Sequence, residues 1–133
     1  QERVGIVVAA HGSNTATSMV AVARKLFDAD NILAVDMPLQ MTPSDILESV
    51  IEKIKAVDEG KGVLLLVDMG SLNTFGDVIT ERTNIVTKSI DMVSTPLVLE
   101  AVRKCSIFHT DLKCVYSYLI SDFRGYTSKV IAE

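Results

Sequence analysis

Aromatic side chains are scarce in this chain of 133 residues, which has no tryptophan and only 5% aromatic residues. Hydrophobic residues still make up 48% of the sequence, so the core must consist mainly of valine, isoleucine, leucine, methionine and alanine. Such a composition is typical of a parallel sheet that is covered by helices. The length fits one domain, which at this size buries roughly two-thirds of the surface that its unfolded chain exposes.

Basic residues are also few, since 13 Lys and Arg stand against 17 Asp and Glu and the net charge is −4. Without a basic stripe, this segment is not expected to contact nucleic acid. The apolar runs are too short to span a membrane and no signal peptide is visible, so we expect a cytoplasmic domain without membrane insertion. The two cysteines, Cys105 and Cys114, form no C-x-x-C pattern, and we expect reduced thiols.

Apolar runs typical of buried strands alternate with helical spacing along the chain. The pattern predicts strands at 4–10, 31–37, 62–68 and 88–93 and helices at 14–27, 43–57, 72–83, 97–104 and 110–119. Helix starts are marked by Ser13 or Asn14 and by the Thr-Pro pairs at 42–43 and 95–96, and Gly60 is expected to stop the second helix. Strands that are separated by helices imply an open, mostly parallel α/β sheet with helices on both faces. The expected strand order is 2-1-3-4.

Two polar side chains are predicted to meet at one edge of this sheet. The first strand ends at His11 and the third ends at Asp68. In the order 2-1-3-4 these strands are neighbours at the point where the winding reverses, which is where open parallel sheets place their ligands. A carboxylate that accepts a hydrogen bond from Nδ1–H of a histidine leaves Nε2 free to act as a nucleophile. We therefore assign His11 as a phosphoryl acceptor and Asp68 as its orienting partner.

The turns that follow these two residues suit an anion. Gly12 and Gly70 allow close backbone approach and unusual dihedral angles, and Ser13 and Ser71 add hydroxyl donors. Each turn is expected to lead into a helix N-terminus, where free N–H groups attract phosphate. These residues form the predicted phosphate-binding set, and no metal ligand is assigned.

Each motif also has a plain structural interpretation. A histidine at a strand end is often only a polar residue that terminates the strand, and Asp-x-Gly-Ser is an ordinary strand-to-helix turn. The second histidine, His109, is expected to be a surface residue near a helix start.

Two segments carry a resemblance to a known family: V-G-I-V-V-A-A-H-G-S at 4–13 and G-V-L-L-L-V-D-M-G-S at 62–71. Together with their spacing, they resemble the enzyme IIA domain of the mannose (fructose-mannitol-sorbose) family of the bacterial sugar phosphotransferase system. The likeness extends to about Cys105. It implies a flavodoxin-like three-layer sandwich, assembly of such domains into a homo-oligomer, and phosphorylation of His11 at Nε2 by the phosphocarrier protein. The phosphoryl group then comes ultimately from phosphoenolpyruvate, and no cofactor is implied.

The turn after Asp68 departs from the transport proteins of that family, which usually show D-x-x-G-G-S-P-x-N. A form of this domain occurs inside levanase-operon-type transcriptional activators, which work with an alternative sigma factor. This chain resembles that form in its shorter turn and in the segment S-I-D-M-V-S-T-P-L-V-L-E-A at 89–101. This resemblance implies a regulatory phosphotransferase domain attached to other regulator domains. We place the domain at 1–122, because the helical pattern fades beyond Asp122, and interpret 123–133 as a tail or the start of a linker.

Three alternatives stay open from the sequence. A transport enzyme IIA subunit would pass the phosphoryl group on to an enzyme IIB partner. A small tetrapyrrole metal chelatase would also place H-G-S after its first strand. A dimerisation module would leave His11 unphosphorylated.

Overall fold

The computed structural model of the chain describes residues 2–107 and 110–123. Its sheet contains the four strands β1 (Gly5–His11), β2 (Ile32–Met37), β3 (Val63–Val67) and β4 (Thr87–Ile90). The strands pair in parallel in the order β2-β1-β3-β4. The predicted fold class and strand order are therefore confirmed.

Helices cover both faces of the sheet. The described helices are α1 (Thr15–Phe27), α2 (Pro43–Val57), α3 (Phe75–Thr83), α4 (Thr95–Cys105) and α5 (Leu112–Ser117). Alternate residues of β1 explain the two layers: Ile6 and Val8 pack with α1, α4 and α5, whereas Val7 and Ala9 pack with α2 and α3. Because both faces of β1 are buried, the strand is apolar throughout, as the sequence pattern indicates.

Capping residues explain where several helices begin. Thr42 accepts a hydrogen bond from the Asp45 N–H at 3.1 Å, and Pro43 follows at the first helical position, as predicted. The cap of α4 is Ser94 rather than Thr95, because the Ser94 hydroxyl accepts from the Leu97 N–H at 3.2 Å. Asp111 caps α5 by accepting from the Cys114 N–H at 2.7 Å.

Two of the element boundaries that differ from the sequence prediction have a local structural reason. Helix α3 begins at Phe75 and not at Leu72, because Gly70–Leu72 forms a separate turn of 3₁₀ helix. Strand β4 ends at Ile90, since Met92 takes a left-handed conformation with φ of 58° that an extended strand excludes. Helix α2 ends at Val57 as predicted, and Asp58 already has extended backbone angles, so the helix ends before Gly60 is reached.

The chain end and one predicted surface residue lie beyond what the structure covers. A π-helical segment at Tyr118–Phe123 closes the described part of the chain. His109 and the segment 124–133 lie outside the described residues, and the domain boundary after Asp122 stays a prediction. No helix among the described residues is long and apolar enough to cross a membrane.

The two thiols have different environments, although both are free as expected. Cys105 lies in the core against α1, and burial raises its pKa to about 12. Cys114 is exposed, and its pKa is raised because the neighbouring Asp111 carboxylate accepts a hydrogen bond from the thiol and opposes the thiolate charge.

Thiol reactivity tests this description of the core. Because only a thiolate reacts quickly and Cys105 is both buried and held protonated, we expect one thiol per chain to react with Ellman's reagent in the native state. In guanidinium chloride, two should react. In the Cys114→Ser variant, native reactivity should vanish. Two rapidly reacting thiols in the native protein would contradict the burial of Cys105.

Candidate functional site

His11 and Asp68 lie side by side at the carboxyl edge of the sheet. His11 is the last residue of β1, and Asp68 directly follows β3, the parallel neighbour of that strand. The His11 Nδ1 atom lies 3.0 Å from Asp68 Oδ1 and 3.2 Å from Asp68 Oδ2. The structure thus brings together the two side chains that the sequence analysis selected.

The Asp68 carboxylate holds the backbone of His11 as well as its ring. Asp68 Oδ2 accepts a hydrogen bond from the His11 backbone N–H at 2.8 Å. An ionised carboxylate can only accept, so the ring hydrogen bond requires a proton on Nδ1. In the neutral ring this leaves the lone pair on Nε2. The two side chains are 25% and 27% exposed, so another molecule can reach them.

The turn after β1 is tight because of Gly12. This residue has φ of +112°, and its N–H donates to the Met37 carbonyl at 3.0 Å. A Cβ atom at this position would lie 2.5 Å from the Thr15 hydroxyl oxygen, so only glycine fits. Ser13 is exposed, and Asn14 occupies the N-cap position of α1 without a side-chain cap hydrogen bond. The predicted helix N-terminus is therefore present beside His11.

The turn after β3 differs from the prediction. Gly70 is not among the described glycines with positive φ, so unusual dihedral angles do not account for the presence of glycine at this position. A Cβ atom on Gly70 would instead lie 3.3 Å from an Asp91 carboxylate oxygen, so the residue permits a close approach. Gly70 and Ser71 are exposed, but they lead into the 3₁₀ turn and not directly into a helix. The second predicted helix N-terminus is therefore displaced, because α3 begins only at Phe75.

Sequence analysis missed one polar residue of this edge, Asp36. It lies near the end of β2, where it pairs with Ala10 of β1, and is partly buried. Its Oδ1 atom accepts from the Thr17 backbone N–H at 3.1 Å, and its Oδ2 atom accepts from the Thr17 hydroxyl. The only sequence signal was a carboxylate interrupting an apolar strand, which does not reveal its partner.

Sequence analysis also missed the exposed apolar side chains around the site. Leu39, Met69 and Met92 are 84%, 51% and 70% exposed, and they follow β2, β3 and β4 respectively. The segments that follow the four strands, at 12–14, 38–42, 68–74 and 91–94, contain no lysine or arginine. The rim of the site is therefore apolar and acidic. Among the described residues, no group of three or more His, Cys, Asp or Glu is arranged to hold a metal ion.

Sequence comparison relates the chain to a family and to regulators. Residues 5–115 match the model of the PTS system fructose IIA component family. The transcriptional regulatory protein LevR of Bacillus subtilis (strain 168) is 53% identical over 92% of this chain. The transcriptional regulatory protein DagR of Salmonella typhimurium (strain 14028s / SGSC 2262) is 30% identical over 81%. The matched segments span only 13% and 12% of these two regulators.

Structure comparison agrees with this relationship. A sigma-54 interaction domain protein from Enterococcus faecalis superposes with a TM-score of 0.87 and 34% identity, covering 99% of this chain and 98% of that one. The phosphotransferase system component EIIA from Streptococcus agalactiae has the same fold, with a TM-score of 0.72 at 16% identity and coverage of 89% and 90%. The chain therefore belongs to the PTS system fructose IIA component family, in the form that occurs within LevR-type transcriptional regulators.

Proposed function

We propose that this domain is a phosphohistidine regulatory domain of the sugar phosphotransferase system. His11 receives a phosphoryl group from the phosphocarrier protein, and its phosphorylation controls an attached transcriptional activator. The observation that carries the proposal is the 3.0 Å hydrogen bond between His11 Nδ1 and Asp68, because it leaves Nε2 as the free nucleophile. Family membership and the similarity to LevR support the same function.

The transfer step uses only the His11 ring and its partner. The Nε2 lone pair attacks phosphorus on the donor's phosphohistidine, a new N–P bond forms, and the donor's N–P bond breaks with its electron pair returning to the donor imidazole. Positive charge builds on the His11 ring as the bond forms. Asp68, which keeps its hydrogen bond to Nδ1, stabilises that charge and fixes the ring orientation.

Backbone amides and hydroxyls would hold the transferred phosphoryl group. Gly12 and Ser13 lie between His11 and the start of α1, where N–H groups without an intrahelical partner favour an anion. Gly70 and Ser71 lie in the turn that follows Asp68 and are exposed. This binding set needs no metal ion or other cofactor, and the phosphoryl group comes ultimately from phosphoenolpyruvate.

The apolar rim supports a protein as the phosphoryl donor. Leu39, Met69 and Met92 are exposed around the histidine, and a macromolecular partner could cover them. The acidic rim without lysine or arginine suits a partner that brings positive charge. The phosphocarrier protein is that partner in this proposal, which also places the domain in the cytoplasm. A homo-oligomeric state stays a prediction.

Phosphorylation with purified components tests the function. We expect acid-labile label on the wild-type domain after incubation with phosphoenolpyruvate, enzyme I and the phosphocarrier protein. The His11→Ala variant should take up none, because it lacks the nucleophile, whereas His109→Ala keeps label and serves as the matched control. Label on His11→Ala would contradict the assignment.

The same assay separates the regulatory role from a transport role. Addition of a cognate enzyme IIB should leave the label on a regulatory domain, whereas a transport subunit would lose it. The regulatory role is favoured because LevR and DagR are transcriptional regulators.

Replacement of Asp68 tests the orienting role. We expect Asp68→Ala to slow labelling of His11 by about 10- to 100-fold, because the ring loses the group that fixes its tautomer and stabilises its charge. Initial labelling rates measure the effect, and circular dichroism verifies the fold. Asp45→Asn, which alters an exposed carboxylate in the first turn of α2, should label at the wild-type rate. An unchanged rate for Asp68→Ala would remove Asp68 from the mechanism.

Polar replacement of the rim tests protein docking. In single-turnover labelling, KM is the concentration of phosphorylated phosphocarrier protein that gives half the maximal labelling rate. We expect Leu39→Ser with Met92→Ser to raise this KM about tenfold, which corresponds to a loss of about 1.4 kcal/mol of binding free energy. The kcat, which here is the limiting first-order rate constant of labelling at saturating donor, should change little, because neither side chain belongs to the reacting pair. Val86→Ser is the control, since Val86 is 53% exposed but precedes β4 at the opposite edge of the sheet. An unchanged KM in the double variant would exclude these residues from docking.

A further inference from the structure

We propose that Asp36 is a positioning residue for phosphoryl transfer to His11. It holds the first turn of α1 against β2 and thereby fixes the segment 12–16, which contains the turn after the histidine and the first two residues of the helix. This proposal deepens the proposed function and rests on it.

The contacts of Asp36 show that it replaces a missing helix cap. Asn14 stands at the N-cap position of α1 but makes no side-chain cap hydrogen bond. The Asp36 carboxylate instead accepts from both the backbone N–H, at 3.1 Å, and the hydroxyl of Thr17, the third residue of the helix. A carboxylate at this end of a helix is also favoured by the helix dipole. The cap thus comes from a neighbouring strand, so it ties the helix to the sheet.

Two consecutive residues of β2 anchor both ends of the same turn. The Met37 carbonyl accepts from the Gly12 N–H at 3.0 Å, and Asp36 binds Thr17. In the same ladder, His11 pairs with Met37. The histidine, the turn and the helix start are therefore all held by the carboxyl end of β2, and release of Thr17 would free one end of the turn.

Geometry and charge make different predictions for Asp36. A second carboxylate near a phosphoryl group can only oppose the incoming negative charge, so its charge does not assist the transfer. Its hydrogen bonds fix the position of the turn, and an amide can preserve them: the Asn oxygen can accept from the Thr17 N–H while its NH₂ donates to the hydroxyl. We therefore expect Asp36→Asn to work and Asp36→Ala to fail.

The experiment compares labelling kinetics for wild type, Asp36→Ala, Asp36→Asn and a control, with the phosphocarrier protein as the varied donor. The control is Asp111→Ala, which also removes a helix-capping aspartate but precedes α5, on an element outside this turn. We expect Asp36→Ala to lower kcat about tenfold or more at unchanged KM, because small displacements of groups around a reacting centre are costly. Asp36→Asn should stay within about twofold of wild type, and Asp111→Ala should keep the wild-type kcat.

Amide chemical shifts of residues 13–16, measured before phosphorylation, provide a second readout. They should move in Asp36→Ala and not in Asp111→Ala. If Asp36→Ala does not fold, Thr17→Ala replaces it, because it removes the hydroxyl contact and keeps the backbone one; a smaller fall in kcat with wild-type KM is then expected.

Each other outcome overturns the proposal. It fails if a folded Asp36→Ala keeps the wild-type kcat, if Asp36→Asn is as slow as Asp36→Ala, or if Asp111→Ala falls equally. Absence of label on the wild-type domain would overturn the proposed function and this proposal together, whereas a labelled wild type with an unimpaired Asp36→Ala overturns only the role of Asp36.

Discussion

One carboxylate, that of Asp68, links the ends of the two central strands of the sheet. It accepts from the His11 backbone N–H at 2.8 Å and faces the His11 ring nitrogen Nδ1 at 3.0 Å. The first contact fixes where β1 ends relative to β3, and the second fixes how the ring points from that end. Because the same group makes both contacts, the position of the imidazole is determined by the pairing of β1 with β3 rather than by a flexible loop.

The direction of the helices distributes charge between the two edges of the sheet. Basic residues stand in the last turns of the first four helices: Arg24, Lys25, Lys55, Arg82, Arg103 and Lys104. These ends lie away from the carboxyl edge, since each helix runs back across a parallel sheet, and cations there complement the helix dipoles. The edge that carries His11 therefore has neither lysine nor arginine in its connecting segments. Under the proposed function, a phosphoryl group at this edge would be stabilised by backbone amides, by hydroxyls and by groups that the partner contributes.

The sheet could be predicted from the sequence because its pattern is local. The apolar runs at β1 and β3 and the Thr42-Pro43 start of α2 each identify one element without reference to any other. The meeting of His11 and Asp68 followed from strand order alone, since both residues sit at strand ends.

Features that depend on contacts between elements could not be predicted. The sequence near Gly70 does not indicate that the chain makes a 3₁₀ turn there. In the folded protein, this turn buries Leu72 among residues of α2 and α3. The partner of Asp36 could not be predicted from the sequence, because Thr17 lies 19 residues earlier, on a helix that only the fold brings alongside β2. Met92, which follows the end of β4, has a left-handed conformation that the sequence does not predict, because this conformation is usually found at glycine.

The fold itself does not distinguish the domain of a LevR-type regulator from a phosphotransferase system component EIIA. The component EIIA from Streptococcus agalactiae keeps this architecture at only 16% identity, so the order of the strands tolerates extensive substitution. The turn after β3 lies next to the histidine, and in this chain it consists of Met69-Gly70-Ser71 followed by the buried Leu72. In this turn Leu72 is buried, whereas Met69, which follows Asp68, is half exposed. The sheet thus positions His11 and Asp68, whereas the short turn forms the surface beside them. Under the proposed function, substitutions in this turn would change which partner binds while the histidine and its carboxylate stay in place.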